Sequence, residues 1–151
     1  MTQTEKDLEK ALHDILYAWN LMYYTGVKRC ERRDMNDFSL LELHLIHYIA
    51  DNGGSIPLVR IREHIDIPNS TLTSLVKRME AHKVLTREKD PSDNRVYILT
   101  LTEFGKEINE QHMTIDSQIA KVFIERVGNE EEIETFLKVV HKAASTPFIP
   151  R

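Results

Sequence analysis

The chain has 151 residues, 20 Lys and Arg against 24 Asp and Glu for a formal net charge of −4, and one cysteine. That length bounds the fold to one domain or two closely joined lobes, and a lone cysteine excludes an internal disulfide. No apolar run approaches the roughly 20 residues of a membrane span, and the charged N-terminus MTQTEKDLEK is unlike a signal peptide, so a cytoplasmic protein without a membrane partner is expected.

Thr4 and Asp7 have capping-box spacing and open a first helix whose Leu8, Leu12, Ile15, Trp19 and Met22 recur at steps of four and three. Such a stripe must pack on something. The basic run KRCERR, Lys28 to Arg33, leads into a connector. Ser39 and Glu42 form a second capping box. The helix they open is apolar nearly all round, through Leu40, Leu41, Leu43, Leu45, Ile46, Tyr48 and Ile49, which marks it as central. Paired glycines in DNGG, Asp51 to Gly54, stop it. Pro57 suits the first position of a short helix running to about Ile65. IDIPNS is a turn, with Asn69 or Ser70 as the next cap. The helix beyond it buries Leu72, Leu75, Val76 and Met79, and shows a polar face of Ser70, Thr71, Thr73, Ser74, Lys77 and Arg78.

The pattern then changes. DPSDNR is a polar tip, and Val96, Tyr97, Ile98 and Leu99 favour strand, so one β-hairpin is expected. Thr102 caps a long helix carrying Phe104, Ile108, Ile115, Ile119, Val122 and Phe123. Asn129 and Glu132 open a last helix with Ile133, Phe136, Leu137 and Val140. The expected fold is mainly α with one hairpin.

A short helix, a tight turn and a second helix with a small polar face have the form of a helix-turn-helix. Short hydroxyl side chains let a helix approach base edges in the major groove, and Lys77 and Arg78 are long enough to reach phosphates. A hairpin after such a helix makes it a winged helix-turn-helix. The wing would carry Arg95 to the narrow, electronegative minor groove, with Asp93 holding the guanidinium or ordering the turn. Charge distribution is compatible with this reading. From Ser55 to Thr102 there are 8 Lys and Arg against 6 Asp and Glu, while the rest of the chain has 12 against 18. The blander reading is a solvated helix face and a surface ion pair worth little.

NSTLTSLVKRMEAHKVLTREKDPSDNRVYILTLTEFGK resembles the MarR family of bacterial transcription regulators, most specifically in the second motif helix, DPSDNR and LTEFGK. The resemblance extends through the helix order of almost the whole chain. It implies a winged helix-turn-helix with a helical dimerisation lobe: residues 1–38 as the N-terminal dimerisation helix and connector, 39–102 as the DNA-binding domain, and 103–151 as C-terminal dimerisation helices. It further implies a homodimer on a near-palindromic double-stranded operator, an effector-responsive repressor, with Ser70, Thr71, Thr73, Ser74, Lys77, Arg78, Asp93 and Arg95 facing DNA. Two positions depart from the family pattern. Lys83 stands where glycine usually precedes the wing, so a non-glycine must take that turn. Arg62 stands where a small alanine usually packs.

Regulators of this kind usually respond to a small molecule, a metal or an oxidant. Trp19, Tyr23, His44 and Tyr48 are candidates for an apolar effector pocket, although aromatic residues are more often simply core. His112 and Asp116, four apart on one helix face, with His44 on the central helix, suit zinc, and the resemblance places His44 and His112 near positions used by a zinc-sensing branch. Cys30, among Lys28, Arg29, Arg32 and Arg33, has neighbours that favour a reactive thiolate. No glycine-rich phosphate loop and no serine, histidine and acid arrangement is identifiable, which speaks against an enzyme. The alternatives are a winged-helix protein–protein adaptor that does not bind DNA, or a metal- or redox-sensing regulator.

Overall fold

The computed structural model describes residues 1–29 and 37–144, with the side chains of 26–29 excepted. The elements run α1 (Gln3–Arg29), α2 (Leu40–Asp51), β1 (Ser55–Pro57), α3 (Leu58–His64), α4 (Asn69–Ala81), β2 (Leu85–Lys89), β3 (Tyr97–Leu101), α5 (Glu103–Val127) and α6 (Glu130–Ala144). The fold is the expected mainly α winged helix, with one addition. The hairpin β2–β3 gains a third, antiparallel strand, giving the order β1-β3-β2. Ile56 of β1 lies opposite Leu99, and Pro57 opposite Ile98. Pro57 ends that edge strand, where a missing N–H is tolerated, and is the N-cap of α3 rather than its first helical residue.

Helix starts follow the caps, with two corrections. At the N-terminus the reciprocal pair is Thr2 and Glu5, not Thr4 and Asp7. The Glu5 amide donates to Thr2 Oγ1 at 3.2 Å, and the Thr2 amide donates to Glu5 Oε2 at 2.6 Å. Glutamate three residues on completes the box that the shorter aspartate leaves open. At α4 the cap position belongs to Pro68, which has no side-chain acceptor, so neither Asn69 nor Ser70 caps. The other caps are as expected. Ser39 and Glu42 close a full capping box, Thr102 Oγ1 accepts from the Gly105 amide at 3.0 Å, and Asn129 Oδ1 accepts from Glu131 and Glu132.

The core surrounds α2. Leu43, Leu45, Ile46 and Ile49 pack with Ile61 of α3, Leu72, Val76 and Met79 of α4, Leu85, Leu99 and Leu101 of the sheet, and Ile108 and Ile115 of α5. Outside this core the outer helices are bare. No residue of α6 is buried, and Leu8, Leu12, Leu16 and Trp19 of α1, Ile124 of α5, and Leu137 and Val140 of α6 are exposed. The ring pair of Phe123 and Phe136, 4.8 Å apart, holds α6 to α5.

The α4–β2 junction is the most tightly determined local feature. α4 ends in a Schellman arrangement, in which Lys83 N–H donates to Glu80 O and Val84 N–H to Met79 O. Lys83 therefore sits in the left-handed region at φ 60, the one non-glycine with positive φ among the described residues. Thr102 N–H then donates to Val84 O, and its hydroxyl to Lys83 O. A Cβ on Gly105 would stand 2.0 Å from Val84 O, so α5 starts where only glycine fits.

Two substitutions at this junction have opposite expected outcomes. Lys83→Gly removes the left-handed penalty and should raise unfolding free energy by about 1 kcal/mol. Gly105→Ala should lower it by roughly 2–3 kcal/mol, because backbone must move. Urea unfolding midpoints measure both.

Candidate nucleic-acid interface

α3, the turn 65–68 and α4 form the helix pair anticipated from the sequence. Leu72, Val76 and Met79 point inward, so the opposite face of α4 is fixed outward by the same period. Ser70, Thr71, Thr73, Ser74 and Lys77 are all exposed on it. Thr73 Oγ1 donates to Asn69 O at 2.8 Å and Ser74 Oγ to Ser70 O at 3.0 Å. These back-bonds hold the hydroxyls close to the helix and leave their oxygens facing outward as acceptors. Pro68, at the N-cap, offers no side-chain cap to α4.

Arg78 is placed differently from its neighbours. Its Nε donates to Glu42 Oε1 at 2.6 Å, and its Nη2 donates to Glu42 Oε2. Glu42 is 0% exposed, whereas the Arg78 side chain is 52% exposed. Glu42 Oε2 also accepts from the Ser39 amide at 2.8 Å and the Ser39 hydroxyl at 2.7 Å. Burial pushes the Glu42 carboxyl up, but hydrogen bonds from Arg78 and Ser39 and the Arg78 charge outweigh it, and the group lies below its ordinary value. The capping box drew attention to Glu42 as a cap alone. The signal for a second role was its position three, four and seven residues before Leu45, Ile46 and Ile49, which puts a carboxylate on the buried face of α2 and demands a cation.

The wing is ordered by its own side chains. Asp90 Oδ1 accepts from the Ser92 amide and hydroxyl, while Asp90 and Val96 close the tip across the backbone. Asp93 both orders the turn and holds the guanidinium: Oδ1 accepts from Arg95 N–H and Nε at 3.0 Å, and Oδ2 from Nη2 at 3.1 Å. Those bonds from Arg95 lower the Asp93 carboxyl. Arg95 remains 90% exposed, projecting from the tip. At the wing's base, Arg87 lies 4.8 Å over the Tyr97 ring and 3.7 Å from Glu80 of α4, a tie the sequence reading missed.

The effector and metal candidates do not assemble as expected. His44 turns towards His64, with Nε2 atoms 3.0 Å apart, and the Tyr48 ring stacks on His64 at 3.7 Å. His112 instead faces the Tyr23 hydroxyl at 3.4 Å and Asp116 at 3.5 Å. The donor set of His44, His112 and Asp116 does not fit zinc: among the described residues no three His, Cys, Asp or Glu side chains come together to hold a metal ion. The four pocket candidates are likewise divided. Trp19 is exposed on α1, and the cleft of about 210 Å³ between α1 and α5 is lined by Met22, Ile115, Ile119, Val122 and Arg126 among others, and by none of the four. Cys30 lies outside the described residues. No described helix is long and apolar enough to cross a membrane.

Residues 36–95, which contain the helix pair and most of the wing, match the profile of the MarR family. The transcriptional regulator HosA of Escherichia coli O111:H- is 29% identical over 111 residues, covering 74% of this chain and 81% of that protein. AbsC, a MarR family transcriptional regulator from Streptomyces coelicolor, superposes with a TM-score of 0.74 at 16% identity, covering 96% of this chain and 95% of that one. FabT of Streptococcus pneumoniae, solved in complex with DNA, superposes with a TM-score of 0.71 at 22% identity, covering 93% of this chain and 95% of that one.

Glu42 makes stability depend on acid pH in a defined direction. A carboxyl lowered on folding stabilises in full above its unfolded value, about 4.5, and loses that contribution as pH falls through the folded value. The wild-type urea midpoint should drop steeply below pH 4.5, while Glu42→Gln starts lower at neutral pH and falls less. The two curves should converge in acid.

Proposed function

We propose that the chain is a transcriptional regulator of the MarR family, a homodimeric, effector-responsive repressor of a near-palindromic double-stranded DNA operator. The observation that carries this reading is the pairing of an outward polar face on α4 with an exposed Arg95 at the wing tip. Thr71, Thr73 and Ser74 bring α4 close to base edges, and Lys77 takes a phosphate. Arg95, held in shape by Asp93, enters the minor groove.

The dimer rests on the bare helices. Leu8, Leu12 and Leu16 of α1 and Leu137 and Val140 of α6 leave more apolar surface in water than one small lobe covers. A second copy covers both stripes at once by two-fold symmetry. Two recognition helices then meet two half-sites.

The deciding experiment is selection of bound genomic fragments, followed by titration of the selected duplex and a scrambled one at several salt concentrations. Lys77→Ala should weaken binding to both duplexes alike and reduce the salt slope by about one unit. Arg95→Ala should weaken operator binding about tenfold with the melting temperature unchanged. Equal affinity for the two duplexes in the wild type would remove sequence-specific regulation from the reading.

Sedimentation at micromolar concentration should give twice the chain mass, and Leu137→Asp should shift it towards the monomer. A wild-type monomer at that concentration would sink the dimer.

A further inference from the structure

Lys77 and Arg78 are adjacent cations on the recognition helix, yet they are held in opposite ways. Lys77 is exposed, whereas Arg78 presents the Nε–Nη2 edge of its guanidinium to the fully buried carboxylate of Glu42. We infer that Arg78 is a positioning residue, acting on DNA through Glu42 by fixing how α4 is rotated and tilted against α2, and that it is not a phosphate ligand. This deepens the proposed DNA-binding function and rests on it.

Three features carry the inference. The fork of two parallel N–H donors on one carboxylate has a fixed geometry that a lysine cannot reproduce, so it sets an angle as well as a distance. Glu42 cannot follow a moving arginine, because its Oε2 is also held by the Ser39 amide and hydroxyl at the start of α2. Withdrawing Arg78 to reach a phosphate would leave a buried carboxylate without its cation, a heavily penalised state. Finally, α4 carries a second ionic tie, from Glu80 to Arg87 of β2. The helix is thus braced to α2 by Arg78 and to the wing by Glu80, and consecutive positions 77 and 78 point about 100° apart around its axis. One cation faces outward and the other locks the helix that presents it.

A double-mutant cycle tests this. Wild type, Glu42→Gln, Arg78→Gln and the double variant are titrated against the selected operator at several salt concentrations, at a temperature where circular dichroism shows all four folded. Arg78→Gln should weaken binding roughly tenfold with the salt slope unchanged, because no phosphate contact is lost. Glu42→Gln should weaken it too, although Glu42 is remote from solvent, and the double variant should bind no worse than the weaker single. A slope reduced by about one unit in Arg78→Gln, or an equal further loss in the Glu42→Gln background, would overturn the inference. So would tighter binding by Glu42→Gln, since that marks an arginine released to a phosphate. If the double variant does not fold, Arg78→Lys decides: the brace requires a loss with lysine, whereas a phosphate ligand tolerates it. If the wild type binds no duplex in a salt-dependent way, it is the DNA-binding reading that fails. The clamp is then read by carbon-13 NMR of the Glu42 carboxyl, which should titrate below 4.5 in the wild type and move up in Arg78→Gln. An unmoved titration there overturns the clamp.

Discussion

A carboxylate with no contact with water organises this molecule. Glu42 closes the first turn of α2 through Ser39 and receives the guanidinium of Arg78 from α4, so one side chain joins the central helix to α4. Its value is geometric more than energetic. Buried ion pairs commonly break even against well-packed apolar replacements, because desolvation offsets the attraction. What the pair contributes is direction. Apolar packing of Leu72, Val76 and Met79 against α2 would tolerate small rotations of α4, since dispersion is non-directional. A forked hydrogen bond to a carboxylate fixed at its own backbone does not. The outward polar face of α4 depends on that restriction.

Function is distributed over two regions with opposite physical character. The braced region comprises α2, α3, α4 and the sheet, is closely packed, and holds the described ionic ties of α4. The outer helices α1 and α6 leave apolar side chains in water. A monomer with that surface is an incomplete object, and the proposed second copy is the component that completes it. His44, His47 and His64 of the braced region face His112 of α5, and their repulsion, after burial, holds His44 below the ordinary histidine value. Their pairing as His44 with His64 and His112 with Asp116 explains why a zinc set read from spacing alone does not form: each imidazole already has a different partner.

Most features governed by neighbours within four residues were legible in the sequence, the Thr2–Glu5 box and the Pro68 cap position being exceptions. The Ser39 box, the DNGG stop, the Thr102 cap and the Asn129 cap are local hydrogen-bond problems with few solutions. The helix-turn-helix and wing followed from period and turn chemistry in the same way, and the need for a non-glycine at the left-handed Lys83 position came from one missing glycine. Features set by distant pairing were not legible. β1 is three residues long and ends in proline, so it carries no strand signal until β3 is placed beside it. The partner of Arg78 is 36 residues away in sequence, and that of His44 is 20. An exposed-looking Lys-Arg pair reads as two phosphate ligands unless the buried face of α2 is traced first.

The wing and α5 are tied backbone to backbone where α5 begins. Thr102 caps α5 while its backbone and hydroxyl hold Val84 and Lys83 at the start of β2, and Gly105 lies against the same Val84 carbonyl. Nothing compressible separates them, because the contact is backbone against backbone. α5 then runs without interruption from Glu103 to Val127, about 37 Å at the usual helical rise, and ends at the left-handed Gly128 that turns the chain into α6. α5 thus joins the α6 end to the base of the wing as one continuous helix. In the proposed dimer, the separation of the two α4 helices is set by how the α1 and α6 stripes of two copies meet, so a change in that packing would alter half-site spacing without touching a side chain of the proposed interface.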